Sequence, residues 1–522
     1  MRYFLLLILL VTVRIGYSQN IALDPSFGDD GYTSFTIQSV NDLSDTVLLP
    51  TGEFITSYVN VTSVGWTLRF KKIDANGVID TSYNGGISTD GAIEFKKLVY
   101  HNNHLYFIGS YSTYPYNNRN LMIVRFDLNG AIDTTFGTNG QTLFSYGSSH
   151  DDALDFVIDN SGNSYIYAKH SSDYYVVKLN TTGTIDTNFG SGGAVYLHSY
   201  NIYDSNTNKI LNKMFLQNDG KFILVGAKIN PSTDLKESFL TRKLQDGSAD
   251  LSFGTNGELI MSNTEYSTIK DLKFEYADNS ILLLHQYDNS NQVRDRIFLS
   301  QIQISNGALN TAFANNGMTS QYSFTNAPNL NLQHITVLSD SKMLVVGSVS
   351  NFSASPSINT QLFVMRFNSD GSLDYTSSSS GYHIFDTTPP DSSMRADHVN
   401  RLFDMNNGTF IIAYSGYSAT HGAHSYLARF NGATLGLDDF NEDLFTVAVS
   451  PNPSRDYVTI QHSLHTFTNF NYEIVDLIGR ITQRGNSKFN EKINIGNLPS
   501  GTYIFRLQTE LGEKFSKKII IE

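Results

Sequence analysis

The chain has no cysteine, so it contains no disulfide, no thiol nucleophile and no cysteine-ligated metal. Only 16% of its residues are charged, and it contains a single tryptophan. Its net charge of −13 provides no basic excess for binding nucleic acid or an anionic membrane. Beyond the N-terminus, no apolar run is long enough to cross a bilayer. We therefore expect no nucleic-acid partner and no transmembrane segment.

Core-forming residues, by contrast, are abundant. Hydrophobic residues make up 40% of the 522 and aromatic residues 12%, with 34 Phe and 30 Tyr, a composition typical of a large strand-rich protein. At the N-terminus, Arg2 precedes an apolar run over residues 4–13 and the small residues Gly16 and Ser18. This pattern predicts a secretory signal peptide over residues 1–18, which is removed on export.

One short segment recurs along most of the chain. Residues 132–140 read Ile-Asp-Thr-Thr-Phe-Gly-Thr-Asn-Gly, and related segments begin at Leu23, Ile79, Ile185, Ala249, Leu309 and, in degraded form, Leu373. Each unit also contains four short strand candidates separated by Asn-, Asp- and Gly-rich turns. Four antiparallel strands in a unit of this length are typical of a β-propeller blade.

Seven such units predict one closed ring. An open β-solenoid would use shorter repeats, and two smaller rings would interrupt the series, which shows no break. The predicted fold is therefore all-β: a seven-bladed β-propeller over residues 19–436, followed by a linker over residues 437–444 and a small Ig-like β-sandwich over residues 445–522.

The repeats resemble the bacterial delta-60 repeat family. Its hallmark is an Arg-Phe-x-x-x-Gly turn followed by Leu/Ile-Asp-x-x-Phe-Gly-x-x-Gly, and residues 125–140 fit it best, with Asp133, Phe136, Gly137 and Gly140 in place. The resemblance covers about residues 21–436. It implies a repeat scaffold and leaves the biochemical role undefined.

The copies of the repeat vary together at two positions. A cation precedes the repeated Asp by eight residues in five copies: Lys72 and Asp80, Arg125 and Asp133, Lys178 and Asp186, Arg242 and Asp250, and Arg366 and Asp374. The sixth copy loses both, with Ile302 and Asn310 in these places. Because an unpaired charge is costly to bury, this joint loss predicts that the two side chains form an ion pair.

Each end of the repeat series carries half of such a pair. Asp24 has no cation upstream, and Arg429 is followed eight residues later by Leu437. We expect Asp24 to bind Arg429, with Asp438 as the alternative acid. Residues 32–37 would then complete the last sheet and close the ring.

Other chemistry has weaker signals. The repeated carboxylates could instead hold structural calcium, but a paired cation in the same repeat favours a structural role, and no cofactor is predicted. His101 and His104 flank a turn without a third metal ligand, and residues 148–152 contain Ser, His and Asp too close in sequence for triad geometry. Irregular insertions that could form ligand loops lie at residues 111–116, 200–208, 230–237 and 351–359.

The C-terminal region has its own motifs. Residues 450–453 read Ser-Pro-Asn-Pro, 475–480 Val-Asp-Leu-Ile-Gly-Arg, 498–503 Leu-Pro-Ser-Gly-Thr-Tyr, and 517–521 Lys-Lys-Ile-Ile-Ile. These blocks resemble the type A C-terminal sorting domain of the type IX secretion system. On that resemblance the signal residues are Pro451, Asn452, Pro453, Gly479, Gly501, Tyr503, Lys517 and Lys518. An ordinary Ig-like binding module is the alternative, since it shares the sandwich plan.

The resemblance implies export through the Sec pathway and recognition of the tail by the type IX machinery at the outer membrane. The tail is then removed as the cargo is released or anchored to surface lipopolysaccharide. We therefore expect a secreted or cell-surface scaffold of a Gram-negative bacterium that binds an extracellular glycan or protein. The sequence favours this over an extracellular enzyme acting on polysaccharide or peptide, and a purely structural envelope protein is the third possibility.

Overall fold

The computed structural model describes most of the chain from Ile21 onward. The described residues are 21–37, 44–62, 65–113, 118–147, 150–171, 173–199, 213–229, 236–261, 267–275, 279–287, 296–323, 329–351, 359–376, 378, 380–385, 395–418, 422–432, 447–462, 469–476, 480–509 and 514–522. Several predicted features lie wholly or mostly outside them: the signal peptide, the linker, Ser148 and Ser149, Asp438, Gly479 and much of the irregular insertions.

The described residues form strands and turns, with no helix. They divide into two compact units, of which the first contains most of the chain up to Gly432 and the second contains Ala433–Glu522 and the two short stretches Val337–Lys342 and Asp404–Phe410. The all-β fold class predicted from the sequence is confirmed.

Strands of the first unit follow the repeats in order. Two come before the first repeat sheet: β1 (Ala22–Leu23) and β2 (Tyr32–Ile37). The first sheet contains β3 (Ser44–Leu48), β4 (Phe54–Thr62), β5 (Gly65–Ile73), β6 (Ile79–Asp80) and β7 (Gly86–Thr89). The second contains β8 (Ala92–His101), β9 (His104–Ser112), β10 (Asn120–Asp127) and β11 (Gln141–Phe144). The third contains β12 (Asp151–Ile158), β13 (Ser164–His170), β14 (Asp173–Leu179) and β15 (Ala194–Ser199).

The later repeats continue the same plan. The fourth sheet contains β16 (Lys213–Leu216), β17 (Phe222–Ile229), β18 (Lys236–Lys243) and β19 (Glu258–Met261). The fifth contains β20 (Ser267–Glu275), β21 (Ser280–Tyr287), β22 (Arg296–Gln303) and β23 (Tyr322–Ser323). The sixth group is β24 (Asn329–Val337), β25 (Met343–Asn351), β26 (Asn359–Phe367) and β27 (Tyr382–Phe385). The seventh is β28 (Arg395–Asp404), β29 (Thr409–Ser418) and β30 (Gly422–Asn431). A single parallel pairing between Thr360 and Arg395 joins the sixth and seventh groups into one nine-stranded sheet.

The seventh group is completed by the N-terminus. Strand β2 pairs antiparallel with β30, from Tyr32 opposite Ala428 to Ile37 opposite Ala423. Strand β1 continues the pairing, with Leu23 opposite Phe430. The predicted pairing of residues 32–37 with the last repeat is thus present, and it covers an edge that would otherwise be open.

Aromatic side chains pack between neighbouring sheets. Phe70 of the first sheet meets Phe126 of the second edge-on, with ring centroids 4.9 Å apart. The first and seventh groups touch through Phe54 and Phe403 at 5.7 Å. Because both faces of such a sheet are covered, central strands carry continuous apolar runs, and all eight residues of β21 are buried. Turn glycines and Asn residues with positive φ, such as Gly130 at +80°, join the strands.

The second unit is a small two-sheet structure. One sheet contains β31 (Val447–Ser450), β32 (Tyr457–His462) and β35 (Lys492–Asn494). The other contains β33 (Asn469–Asp476), β34 (Ile481–Lys488), β36 (Gly501–Thr509) and β37 (Lys514–Ile521). Residues from both sheets share one buried cluster that includes Ile460, Ile474, Phe505 and Ile519.

The pairing of β2 leads to a stability prediction. Phe35 on β2 is buried and packs against Tyr58 with ring centroids 5.6 Å apart. Replacing Phe35 by Ala should destabilise the first unit by about 3 kcal/mol or more, because the substitution leaves a cavity. The exposed neighbour Thr36, whose hydroxyl lies 3.2 Å from His424 Nε2, is the milder comparison, and Thr36→Ala should cost no more than about 1 kcal/mol. Thermal and urea unfolding of both variants test this, and equal stabilities would contradict a structural role for β2.

Candidate functional site

The repeated Asp organises its own turn with one carboxylate oxygen. In the second repeat, Asp133 Oδ1 accepts hydrogen bonds from the Thr135 backbone N–H at 3.0 Å and from its hydroxyl at 2.6 Å. The other oxygen, Oδ2, lies 2.7 Å from Arg125 Nε. Burial opposes ionisation of Asp133, but the hydrogen bonds from Thr135 and the charge of Arg125 hold its pKa below the ordinary value.

Five cations lie against the repeated Asp as an ion pair would require. The distances to Oδ2 are 2.7 Å for Arg125–Asp133, 2.9 Å for Lys178–Asp186, 2.9 Å for Arg242–Asp250, 2.6 Å for Arg366–Asp374 and 2.8 Å for Arg429–Asp24. The last pair joins the two ends of the repeat series. In the fifth repeat, which carries the sixth copy of the marker segment, the Asn310 amide donates to Gln301 Oε1 at 2.6 Å. A neutral pair therefore replaces the charged pair there.

The first repeat departs from the predicted pairing. Lys72 and Asp80 face each other as backbone partners, but Lys72 Nζ binds Glu53 Oε1 at 2.8 Å. The Asp80 carboxylate is exposed and accepts hydrogen bonds from Ser82 instead. Lysine carries one terminal nitrogen, and here a second acid in the same repeat binds it.

Arginine does more than neutralise the Asp in these turns. The guanidinium also donates to a turn carbonyl of the next repeat, from Arg125 Nη1 to Thr181 O at 3.0 Å and from Arg429 Nη1 to Ala75 O at 3.1 Å. It lies over the marker phenylalanine as well, 4.7 Å from the Phe136 ring centroid for Arg125. We call this arrangement of Asp, Arg, Phe and the next turn the repeat joint. It links one repeat to the next with both carboxylate oxygens occupied.

A second set of charged residues was not predicted from the sequence. One residue from the first strand of each repeat belongs to it: Asp45, Lys97, Asp155, Lys213, Asp271, His334 and Arg401. We call this set the charged belt. Its members reach beyond adjacent sheets, since Lys213 Nζ lies 3.5 Å from Gln333 O and Arg401 Nη2 3.4 Å from Leu98 O. Side chains from all seven repeats therefore converge on one region.

Charges in the belt alternate along the chain. Lys97 Nζ lies 2.6 Å from Asp155, Lys213 Nζ 2.8 Å from Asp271, and Arg401 Nη2 2.7 Å from Asp45. An odd number of positions cannot alternate completely. The sixth position holds His334, whose Nδ1 lies 3.4 Å from Asp271 Oδ2.

Each belt carboxylate also binds the backbone of the following repeat. Oδ2 of Asp45, Asp155 and Asp271 accepts the N–H of Leu98 at 2.9 Å, Met214 at 2.7 Å and Ile335 at 3.1 Å, respectively. Burial disfavours the ionised form of Asp155, but the charge of Lys97 and these hydrogen bonds hold its pKa below the ordinary value. These carboxylates therefore connect neighbouring sheets. Their oxygens are occupied by a cation and a backbone N–H and do not face a substrate.

A backbone irregularity helps to place these side chains. The strand register shifts between Phe95 and Lys97, between Ala153 and Asp155, and between Ile269 and Asp271. A β-bulge re-aims the residue that follows it. In the sequence, six of the seven belt residues stand directly before an apolar residue, as Asp155 does before Phe156, and Asp45 is the exception. A comparison of the repeats could have used this signal.

Another buried carboxylate lies at the edge of the third sheet. Asp151 is fully buried, and its Oδ1 contacts His170 Nδ1 at 2.9 Å and accepts the Tyr175 hydroxyl at 2.8 Å. Burial and the hydrogen bond to Asp151 raise the pKa of Tyr175. Asp151 thus pairs with a histidine of the neighbouring strand and not with His150, its neighbour in sequence.

His101 and His104, which flank one turn, have different surroundings in the structure. His104 lies between Asn102 O at 2.8 Å and Asp133 Oδ2 at 3.2 Å, while His101 Nε2 is buried without a hydrogen-bond partner. Within the described ranges, no group of three or more His, Asp or Glu side chains is arranged to hold a metal ion.

The tail motifs hold the last strand of the second unit. The Asn452 side chain donates from Nδ2 to Lys518 O and accepts the Ile520 N–H at Oδ1, both at 2.8 Å. Its amide therefore pairs with β37 as the backbone of another strand would. Tyr503 donates its hydroxyl to Pro499 O at 2.8 Å, and Lys517 and Lys518 are exposed.

Two family models match the chain. "Secretion system C-terminal sorting domain" matches residues 448–522, and "Domain of unknown function (DUF5122) beta-propeller" matches residues 102–136, 162–189 and 338–376. Both expected resemblances, to a propeller repeat family and to a type IX sorting domain, are thereby confirmed. No curated protein matches the chain. Among the described residues, none belongs to a helix that is long and apolar enough to cross a membrane.

Similar solved structures share little sequence with this chain. They include a polysaccharide lyase, Uly1, with 8% identity and a TM-score of 0.37, covering 84% of this chain and 92% of its own. An endo-arabinase from Bacteroides thetaiotaomicron VPI-5482 has 11% identity and a TM-score of 0.31, covering 52% and 91%. Prolyl oligopeptidase B from Galerina marginata has 10% identity and a TM-score of 0.38, covering 82% and 57%.

The charged belt leads to a second stability prediction. Replacing Asp155 by Ala should destabilise the first unit by about 3 kcal/mol, because it leaves the buried Met214 N–H without its acceptor and leaves Lys97, which keeps only the Phe156 carbonyl at 2.9 Å, without a counter-charge. The matched control is Asp219→Ala, which removes an exposed carboxylate 3.6 Å from Lys221 and should cost less than about 1 kcal/mol. Urea unfolding compares the two variants. Similar losses would show that the belt pair contributes no more than a surface pair.

A buried histidine predicts how stability depends on pH. His285 stacks on Phe298 with ring centroids 4.3 Å apart and contacts Ser300 Oγ at 2.7 Å, and burial lowers its pKa to about 3. The unfolded chain takes up this proton near pH 6.5 and the folded chain does not, so stability falls as pH decreases from about 6.5 to about 3.

The test compares urea midpoints across this pH range. The His285→Leu variant should lose less stability on acidification than the wild type, because it removes the group that binds the proton only when unfolded. His150 is exposed, and His150→Leu should keep the wild-type profile. An unchanged pH profile in His285→Leu would contradict the assignment.

Proposed function

Because the chain ends in a type IX secretion sorting tail, which directs export to the surface or surroundings of a Gram-negative cell, we propose that it works there as a binding or adhesive scaffold. The scaffold is a seven-bladed β-propeller over residues 19–436. The tail over residues 445–522 is an Ig-like sandwich that engages the secretion machinery. It is then removed as the propeller is released or anchored to surface lipopolysaccharide.

Contacts between the first and last repeats support a closed ring of seven blades. Strand β2 completes the seventh sheet, Asp24 binds Arg429, and Asp45 of the first repeat binds Arg401 of the seventh. A ring without a free edge suits a protein displayed outside the cell, because no open strand remains for unwanted pairing.

The charged belt is the observation that favours a binding role over an enzymatic role. Its three carboxylates lie where side chains of all the repeats converge, and each is held by a cation and a backbone N–H. General acid–base catalysis needs a group that can exchange a proton with the substrate. Paired carboxylates of this kind serve a scaffold better.

The Asp151–His170 pair favours an extracellular hydrolase as the second candidate. A buried carboxylate that contacts Nδ1 orients an imidazole, whose other nitrogen could then act as a general base. Under this hypothesis His170 would be the catalytic residue and Asp151 would position its imidazole. A His170→Ala variant should then lose hydrolytic activity and keep its thermal stability within a few degrees.

One experiment separates these roles. The secreted protein is applied to glycan arrays and to bacterial and host extracellular-matrix surfaces, and it is screened in parallel for hydrolysis of polysaccharides and peptides. Saturable binding without turnover supports the scaffold. Turnover that depends on His170 supports the hydrolase, and neither signal supports a purely structural envelope protein.

The role of the tail predicts an export phenotype. Deleting residues 445–522 should leave the protein inside the cell envelope, and Asn452→Ala should reduce export several-fold because β37 loses two hydrogen bonds. The control is Asn471→Ala, which removes an exposed side chain bonded to Asn486 at 2.6 Å. Immunoblots of cell and culture fractions measure export. Normal surface delivery without the tail would contradict its role as a sorting signal.

A further inference from the structure

The repeat joint between the third and fourth repeats differs from the other joints. Lys178 stands where four other repeats have arginine, and its ammonium lies 2.9 Å from Asp186. Asn188 stands two residues after the Asp, where Ser26, Ser82, Thr135, Ser252 and Thr376 provide a hydroxyl elsewhere. The hydroxyls of Thr135 and Ser252 also accept a hydrogen bond from the joint arginine.

A backbone contact that closes three of the other joints is missing here. The marker glycine donates its N–H to the next turn in three joints, from Gly28 to Asn76 O, from Gly137 to Thr182 O and from Gly254 to Asn306 O, at 2.7 to 2.8 Å. Between Gly190 and Asp246, which are both described, the structure has no corresponding hydrogen bond.

The turn glycine of the fourth repeat also has a different neighbour. Gly183 and Gly307 pack against the marker rings Phe136 and Phe253, whereas Gly247 faces the side chain of Val195. The first repeat, which also has a lysine, has Tyr83 at the marker position, and its hydroxyl lies against the turn glycine Gly130. A different side chain therefore occupies that joint.

A cleft of about 440 Å³ lies at the joint between the third and fourth repeats. Its lining includes Lys178, Asp186, Asn188, Gln245 and Asp246. Lys178 and Asp186 neutralise each other, so Asp246 leaves the cleft with a net charge of −1. The cleft therefore offers carboxylate, carbonyl and amide groups to a cation that can donate several hydrogen bonds.

The other joints indicate which cation fits. In them a guanidinium lies between the Asp of one repeat and the turn carbonyl of the next, at residue 181 for Arg125 and residue 75 for Arg429. The corresponding carbonyl in the joint between the third and fourth repeats belongs to Gln245. A planar guanidinium satisfies carbonyl and carboxylate acceptors together, which the compact ammonium of Lys178 cannot do at both sides of the cleft.

We infer that this cleft, the open joint, binds the guanidinium of an arginine side chain presented by a partner protein or peptide. Asp246 supplies the charge, and the Gln245 carbonyl and the Asn188 amide oxygen supply the remaining acceptors. This deepens the proposed binding role by naming a class of partner, and it rests on that role only for its biological setting. The site itself can be measured on the isolated protein.

The test uses capped N-acetyl-L-arginine amide as the probe, with ligand-observed NMR and calorimetry on the full secreted chain. We expect one site per chain with a Kd on the order of 1 mM, and the capped lysine analogue should bind at least about tenfold more weakly. Free arginine should bind no more tightly than the capped form. Equal binding of lysine, tighter binding of free arginine, or no saturable binding would each overturn the assignment.

Two variants locate the site. Lys178→Arg should fill the cleft with an internal guanidinium, weaken probe binding at least about tenfold and raise the unfolding temperature. Asp246→Asn removes the charge and keeps the turn acceptor that binds Ser248, so it should also weaken binding while the fold is retained. The matched control Lys72→Arg makes the same substitution in the first repeat and should leave binding unchanged. Unchanged binding in both site variants would place the probe elsewhere.

The outcome is independent of the cell-surface and glycan-array assays. Arginine binding at the open joint without any adhesion would leave the site established and the adhesive role rejected. Adhesion that is unchanged in Lys178→Arg, with no probe binding to the wild type, would retain the adhesive role and reject the site.

Discussion

A charge buried between two β-sheets must have a partner within reach, and the first unit is organised around that constraint. Sheets that are covered on both faces leave little water at their boundaries, so an isolated carboxylate there would be strongly destabilising. The chain meets this requirement twice in most repeats. The repeat joint pairs an Asp with a cation at one end of a sheet, and the charged belt pairs acids and cations where the first strands converge. In the belt the neutralising contacts themselves join different repeats, and in the repeat joint the arginine that neutralises the Asp also donates to the next turn. Both sets therefore help to hold the sheets together.

The sequence predicted the ion pair of the repeat joint because the cation and the Asp lie eight residues apart in five copies. Where Asn310 replaces the Asp, Ile302 replaces the cation, and this paired loss is visible in the sequence alone. Composition and turn spacing likewise predicted an all-β repeat fold, and the motifs of the last residues predicted the sorting tail. In each case the signal is local, and it recurs or has a fixed order.

The charged belt escaped prediction because its partners are distant and unlike. Lys97 pairs with Asp155, 58 residues away, and Asp45 pairs with Arg401, 356 residues away. Adjacent repeats carry opposite charges at this position, so a search for a shared residue finds nothing conserved among the copies. Lys72 could not be placed for a similar reason, since its partner Glu53 has no counterpart in the motif. The open joint exists because Lys178 replaces the arginine of the other joints. A sequence comparison scores this replacement as conservative, but an ammonium cannot make the contacts of a guanidinium.

Strand β2 belongs to the sheet made by the last repeat, and this order has a consequence for biogenesis. The chain is synthesised from its N-terminus, yet β2 has no partner until β30 has been made, and Asp24 meets Arg429 across 405 residues. Contacts of such long range form late and slowly, because a large loop must be closed before they contribute. The earlier repeats can pair their own strands before β2 has paired with β30. Pairing of β2 with β30 therefore requires that synthesis has reached the last repeat: a translation product that stops before β30 keeps an unpaired N-terminal strand, and such a strand is a target for proteases and for chaperones.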